Sequence, residues 1–154
     1  MTSAKLEIQN LLPHAPPMRM LSEVLSYSDA RIDGLSRIQA DNPLLEGRRF
    51  PCLGGIELFA QLAGVLFGLR NAQPSVPGSP GPGIDPRPQR GAVVQINSFS
   101  LGDARIPVGA ELNIHADFVA GTERAAKMSG SVYYGEQRIF EGVLMIALLE
   151  TQTA

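Results

Sequence analysis

The stretch Ile56–Leu69, reading IELFAQLAGVLFGL, is apolar on every helical face and is interrupted only by Glu57 and Gln61, one turn apart. A helix that is apolar all round is a core element rather than a surface one. At about 1.5 Å per residue the run extends about 21 Å, short of the roughly 20 residues that cross a bilayer, so no membrane span is expected. A carboxyl inside such a helix needs a partner, an exit to solvent or a chemical task. Glu57 is therefore the first candidate for a catalytic group.

The chain around this helix has 154 residues, a length that suits a single domain spanning 1–154 with a sizeable core. It is 44% hydrophobic and 18% charged with a net charge of −2, which offers no electrostatic case for binding nucleic acid. One cysteine, Cys52, rules out an internal disulfide and fits a reducing compartment. Lys5, Glu7, Pro13, Pro16 and Pro17 break up any apolar signal core near the start, so a cytoplasmic location is expected. Paired cysteines, clustered histidines and a glycine-rich phosphate loop are all missing from the sequence, which argues against a metal or nucleotide enzyme.

The flanking segments read as strands. Leu6, Ile8, Leu11 and Leu12 fit a short amphipathic helix that Pro13 ends. Residues 18–27 and 31–38, separated by Ser28 and Asp29, fit a hairpin. In the segment 111–119, Leu112, Ile114, Ala116 and Phe118 alternate with Glu111, Asn113, His115 and Asp117, the mark of a half-buried strand. Two further strands, 125–134 and 138–149, flank Gly135, Glu136 and Gln137, and the apolar run 143–149 suits the middle of a sheet. With residues 91–101 the count is about six. Residues 71–90 hold six of the twelve prolines together with Gly78, Gly81 and Gly83, a composition that predicts a surface loop or flap. One long apolar helix and about six antiparallel strands imply an α+β domain with the sheet curled around the helix.

The run Leu11, Leu12, Pro13, His14, Ala15, Pro16, Pro17, Met18, leading into Leu21–Leu25, resembles the opening of the hotdog-fold β-hydroxyacyl-ACP dehydratases. Gly55, Ile56, Glu57, Leu58, Phe59, Ala60, Gln61, Leu62, Ala63, Gly64 resembles their central helix, with its glutamate and alanine-glutamine pair. The turn Asn42, Pro43, Leu44 ahead of that helix is similar to the ApeP-like group associated with aryl polyene gene clusters. The resemblance runs from about Ile8 to Leu149 and implies a hotdog fold.

It also implies a chemistry. Dehydration of a 3-hydroxyacyl thioester needs a base for the proton on C2, an acid for the departing hydroxyl and donors for the thioester oxygen. Glu57 would be the acid, with burial raising and the helix N-terminus lowering its pKa. Gly54 and Gly55 at the helix entry are expected to leave backbone N–H groups open for an oxyanion. Gln61 would hold the carboxyl or a water, or else simply join helix to sheet. FabA- and FabZ-type enzymes carry a histidine in a Gly-His-Phe-Pro-Gly turn upstream of the glutamate, whereas here that region reads Asn42 to Phe50 without one. Of the two histidines, His115 is expected to be solvated on a polar strand face. His14, in the proline-bounded turn, is the chosen base, with a structural cap as its rival. Cys52 reads as structural. Arg48 and Arg49 either form a solvated turn or dock phosphopantetheine phosphate or an acidic carrier protein, as do Arg87 and Arg90.

The resemblance thus implies an acyl carrier protein-bound thioester substrate carried on phosphopantetheine, no further cofactor, and a homodimer or higher oligomer joined through sheet edges. A hotdog acyl thioesterase and a catalytically silent hotdog subunit are the alternatives.

Overall fold

The computed structural model describes residue 12, residues 15–71 and residues 91–148. His14, the helix expected at residues 5–12 apart from Leu12, and residues 72–90 of the proline-rich segment lie outside the described residues.

Strands β1 (Glu23–Tyr27) and β2 (Arg31–Arg37) form the expected hairpin, with the first strand shorter at its start. The chain then turns at Asn42, whose side-chain oxygen accepts the Leu44 N–H at 2.9 Å, and reaches β3 (Arg49–Phe50). A 3-10 turn, Cys52–Gly54, leads directly into α1 (Gly55–Asn71). After it come β4 (Gly91–Leu101), β5 (Ile106–Pro107), β6 (Glu111–Gly121), β7 (Ala125–Tyr134) and β8 (Gln137–Leu148). Six strands form one antiparallel sheet in the order β1-β2-β6-β7-β8-β4, and β3 pairs with β5. The expected architecture, a hotdog sheet of six strands around one helix, is the one observed. The β3–β5 pair was not expected, because two-residue strands carry no period for a sequence to display.

Period-2 alternation decides which face meets the helix. On β6, Leu112, Ile114 and Ala116 are fully buried, as are Ala126, Met128 and Val132 on β7 and Phe140 and Leu144 on β8. Against them α1 buries Leu58, Phe59, Leu62, Ala63, Val65 and Leu66 completely. The helical stretch Cys52–Asn71 is 20 residues long with a mean hydropathy of 1.7, so length and composition alone would let it cross a membrane. Its burial against the sheet is what makes it a core helix.

The helix can sit close to the sheet because the strands beneath it carry little bulk. Ala116, Gly130 and Gly142 are cross-strand neighbours on β6, β7 and β8. A Cβ on Gly130 would lie 2.1 Å from Phe59 and 2.6 Å from the His115 carbonyl oxygen, and one on Gly142 would lie 2.8 Å from Phe140. The rings of Phe59 and Phe140 occupy that space, tilted at 36° with centroids 6.0 Å apart.

The opposite, outer face of the sheet carries a polar cluster where β1, β2 and β6 meet. Asp33 on β2 accepts hydrogen bonds there from the Ser26 hydroxyl at 3.1 Å, from the Arg31 Nε at 3.4 Å and from His115 Nδ1. Burial alone would raise the Asp33 pKa, but the hydrogen bonds from His115 and Ser26 and the charges of Arg31 and His115 outweigh it, and the carboxyl is held below its ordinary 3.8.

Two outcomes follow from this packing. Gly130→Ala pushes a methyl into Phe59 and a carbonyl oxygen at once, and should lower unfolding stability by roughly 1–3 kcal/mol in urea titrations. A carboxyl whose pKa is depressed in the folded state adds stability at pH above its unfolded pKa, and loses it as pH falls through the folded value. The stability gap between wild type and Asp33→Asn should therefore be full near neutrality and close below about pH 4 in acid-unfolding curves followed by circular dichroism.

Candidate active site

Glu57 lies in the first turn of α1 and is half-buried, so its carboxyl neither enters the core nor stands free in water. Its Oε1 accepts a hydrogen bond from Gln61 Nε2 at 2.9 Å, the i,i+4 contact expected for two polar side chains on one helix face. Gln61 itself is only 2% exposed. Its Oε1 accepts the backbone N–H groups of Met20 at 2.9 Å and Leu21 at 3.1 Å, while Nε2 also donates to the Met18 carbonyl at 2.8 Å. Ser36 adds a hydroxyl bond of 2.7 Å to the Met20 carbonyl. The segment Met18–Leu21 is thus tied to the helix beside Glu57.

This network fixes the orientation of the Gln61 amide. Turned over, it would present NH2 to two N–H donors and its oxygen to a carbonyl and a carboxylate, losing all four bonds. The oxygen Oε1 of Glu57 is consequently held as an acceptor. A transferable proton on this carboxyl belongs on Oε2.

The glycines at the helix entry have a different role from the one expected. The Gly54 N–H donates to the Pro51 carbonyl at 2.9 Å, and the Gly55 N–H is taken by the carbonyls of Cys52 and Leu53. Both amides are engaged inside the turn, contrary to the open donors read from the sequence. Packing explains the missing side chains: a Cβ on Gly54 would lie 2.4 Å from the Phe50 ring, and one on Gly55 would lie 2.6 Å from Phe140 Cβ. Because the 3-10 turn extends the helix backwards, its leading N–H groups belong to Cys52 and Leu53. The Cys52 thiol is half-buried and points to the Ala104 carbonyl at 3.7 Å, a packing contact.

Arg48 and Arg49 are exposed on the tight turn Glu46–Arg49, where Gly47 adopts a φ of 64°. They precede the helix entry by a few residues. Arg87 and Arg90 lie outside the described residues, as does His14. His115 stands on the outer face of the sheet, away from Glu57, and is paired with Asp33 rather than simply solvated. Asp33 was not among the residues singled out in the sequence. Only the strand register, Asp33 opposite His115, brings the two together. Among the described residues there is no group of three or more His, Cys, Asp or Glu side chains suited to a metal ion.

This architecture has relatives. A chain of the dehydratase heterocomplex ApeI:P from Xenorhabdus doucetiae superposes with a TM-score of 0.78 at 19% identity, covering 95% of this chain and 93% of that one. A hypothetical thioesterase protein from Streptococcus pneumoniae TIGR4, solved with coenzyme A, superposes with a TM-score of 0.58 at 11% identity, over 82% of this chain and 84% of its own. At these identities the likeness is one of fold. In sequence, the 3-hydroxyacyl-[acyl-carrier-protein] dehydratase FabZ of Streptococcus uberis is 37% identical over 65 residues, 39% of this chain and 46% of that protein. The chain spans about half the length of the curated relatives it matches. The model of one family, described as ApeP dehydratase, matches residues 6–153, and with nearly its whole length accounted for the chain belongs to the ApeP-like family.

Proposed function

We propose that the protein is a 3-hydroxyacyl-acyl carrier protein dehydratase-like lyase, removing water from a carrier-bound thioester in fatty acid or aryl polyene-type biosynthesis. The observation that carries the reading is the Glu57 carboxyl at the start of the buried helix, held at one oxygen by a buried amide, in a chain of the ApeP-like family. Glu57 donates a proton from Oε2 to the departing hydroxyl while the leading N–H end of the helix faces the charge that develops on the thioester oxygen. Catalysis of this kind needs no cofactor beyond the phosphopantetheine that carries the substrate.

His14 is the proposed base. It precedes Met18 by four residues in the sequence, and Met18 is itself anchored to Gln61. Arg48 and Arg49, exposed ahead of the helix entry, suit the phosphate of the carrier arm or an acidic carrier surface. A reducing, cytoplasmic setting is part of the reading, in keeping with Cys52 as a thiol.

The assembly proposed is a dimer of two copies joined along β4. This strand is one of the two edges of the sheet, its sequence GAVVQINSFSL has no charge and no proline, and Val94, Ile96, Phe99 and Leu101 are 59%, 45%, 49% and 45% exposed. Edge strands left in water are normally guarded by charge or proline, and this one is not. Antiparallel pairing of β4 with its own copy sets no charges against each other and extends the sheet to both subunits.

Four measurements test the reading. On incubation with a 3-hydroxyacyl carrier protein, the carrier's mass should fall by one water. Release of free carrier would instead mark a thioesterase, and an unchanged carrier a silent subunit. Glu57→Gln should lower turnover roughly 10²–10⁴-fold, and full turnover in that variant would remove Glu57 from the mechanism. Gln61→Ala should lower kcat roughly 10–100-fold with KM little changed, since it misplaces the acid rather than the substrate. In sedimentation velocity the wild type should run as a dimer and Ile96→Lys as a monomer. A wild type that is monomeric alone and dimeric only with a second hotdog protein would overturn self-pairing in favour of a heterocomplex.

A further inference from the structure

The outer face of the sheet holds a second constellation, separated from Glu57 by the sheet itself. Strand register places four polar side chains in one row: Ser26 on β1 opposite Asp33 on β2, Asp33 opposite His115 on β6, and His115 opposite Ser131 on β7. The row runs as a carboxylate, an imidazole and a hydroxyl. Asp33 and His115 are joined directly through Nδ1, and the second carboxylate oxygen accepts the Ser26 hydroxyl at 3.1 Å. A carboxylate only accepts, so Nδ1 carries the proton, and Nε2 is the nitrogen that can offer a lone pair when the ring is neutral.

Ring geometry then does the rest. With Nδ1 aimed across to β2, Nε2 points outward from the sheet and leans to the side of β7, where Ser131 is the next residue in the row. Ser131 is the directly opposed neighbour of that ring, with Cβ atoms about 4.5–5.5 Å apart in such a pair, and its hydroxyl makes no hydrogen bond to the ring in this structure, a contact that catalytic sites commonly tighten only around substrate. The edge of Tyr133 stands against the imidazole, with ring centroids 5.8 Å apart at 71°. An open pocket of about 410 Å3 lies over the group, lined by Arg31, Asn113, His115, Asp117, Ser131 and Tyr133. His115 and Asp33 are only 32% and 22% exposed, so the pair is held partly out of water.

We propose that Asp33, His115 and Ser131 form a nucleophilic site on the outer face of the sheet that takes the acyl group of a small aryl ester. Ser131 Oγ bonds to the ester carbon as its proton passes to His115 Nε2. The carbon–oxygen bond to the leaving group breaks, and Nε2 returns the proton to it, releasing a phenol. Water then adds to the acyl-serine by the same base, freeing the acid and restoring the hydroxyl. Asn113 and the remaining N–H groups of Arg31 line the same pocket and are the donors available to the carbonyl oxygen, and the Tyr133 ring is the wall for the aryl group.

The row contains its own control. Ser129 lies two residues from Ser131 on the same face of β7, but its neighbour across β6 is Asp117 rather than an imidazole. Treatment of the full chain with a fluorophosphonate, followed by peptide mass spectrometry, should label Ser131 at least about 100-fold faster than Ser129. His115→Asn and Asp33→Asn, checked as folded by circular dichroism, should abolish that preference, whereas Ser129→Ala should leave the rate of Ser131 labelling unchanged. p-Nitrophenyl acetate should show a burst of p-nitrophenol that Ser131→Ala loses. Equal labelling of the two serines, or labelling of Ser131 that persists in a folded His115→Asn protein, would overturn the assignment.

Discussion

The buried amide of Gln61 makes four hydrogen bonds: to the backbone of Met18, Met20 and Leu21 on one side and to Glu57 on the other. Few other side chains could do this. A glutamate in its place would have no donor for the Met18 carbonyl, and a leucine would strand two backbone N–H groups in the core, where each unsatisfied group weighs about 1–3 kcal/mol. The amide therefore sets the rotation of α1 about its axis relative to the incoming chain. Once that rotation is set, Phe59 and Leu62 must face the sheet and Glu57 must emerge at the helix start. The apolar contacts supply most of the stabilisation, but they are nearly symmetric around so apolar a helix, and it is the polar anchor that selects one orientation.

The sheet answers with small residues. Ala116, Gly130 and Gly142 lie side by side where Phe59 and Phe140 come nearest, and Gly34 takes the same role on β2, where a Cβ would lie 2.8 Å from Leu62. Glycine weakens an isolated strand. Here it lets the helix sink into the concave face, and Gly54 and Gly55 do the same at the helix entry against Phe50 and Phe140.

Much of this was legible in the sequence because it is written in periods. The apolar run broken only by Glu57 and Gln61 marked α1, alternation marked β6, and the turn residues Gly135 to Gln137 marked the end of β7, both strands within two residues of their observed ends. The site was legible in part: Glu57 and Gln61 stand out because polar groups in an apolar helix have few innocent explanations. What escaped was whatever depends on distance across the fold. Glycine beside a helix start reads equally as an open amide or as room for a ring, and only the position of Phe50 and Phe140 separates the two. Asp33 looks like any polar residue on a hairpin until the register sets it opposite His115.

The same periodicity explains how one thin sheet can carry two chemistries. Adjacent residues on a strand point to opposite faces, so Ala116 and Gly130 lie under the helix while His115 and Ser131, one position away, face solvent. Side chains on the inner face are constrained by the volume of the helix, and a change there is felt as overpacking. Side chains on the outer face meet mainly their cross-strand partners, so a carboxylate, an imidazole and a hydroxyl can be set in a row without disturbing the core. A residue inserted into or deleted from β6 would exchange the faces of every side chain beyond it, burying His115 and exposing Ile114. The register that β6 holds with β2 and β7 therefore protects the inner packing and the outer row together.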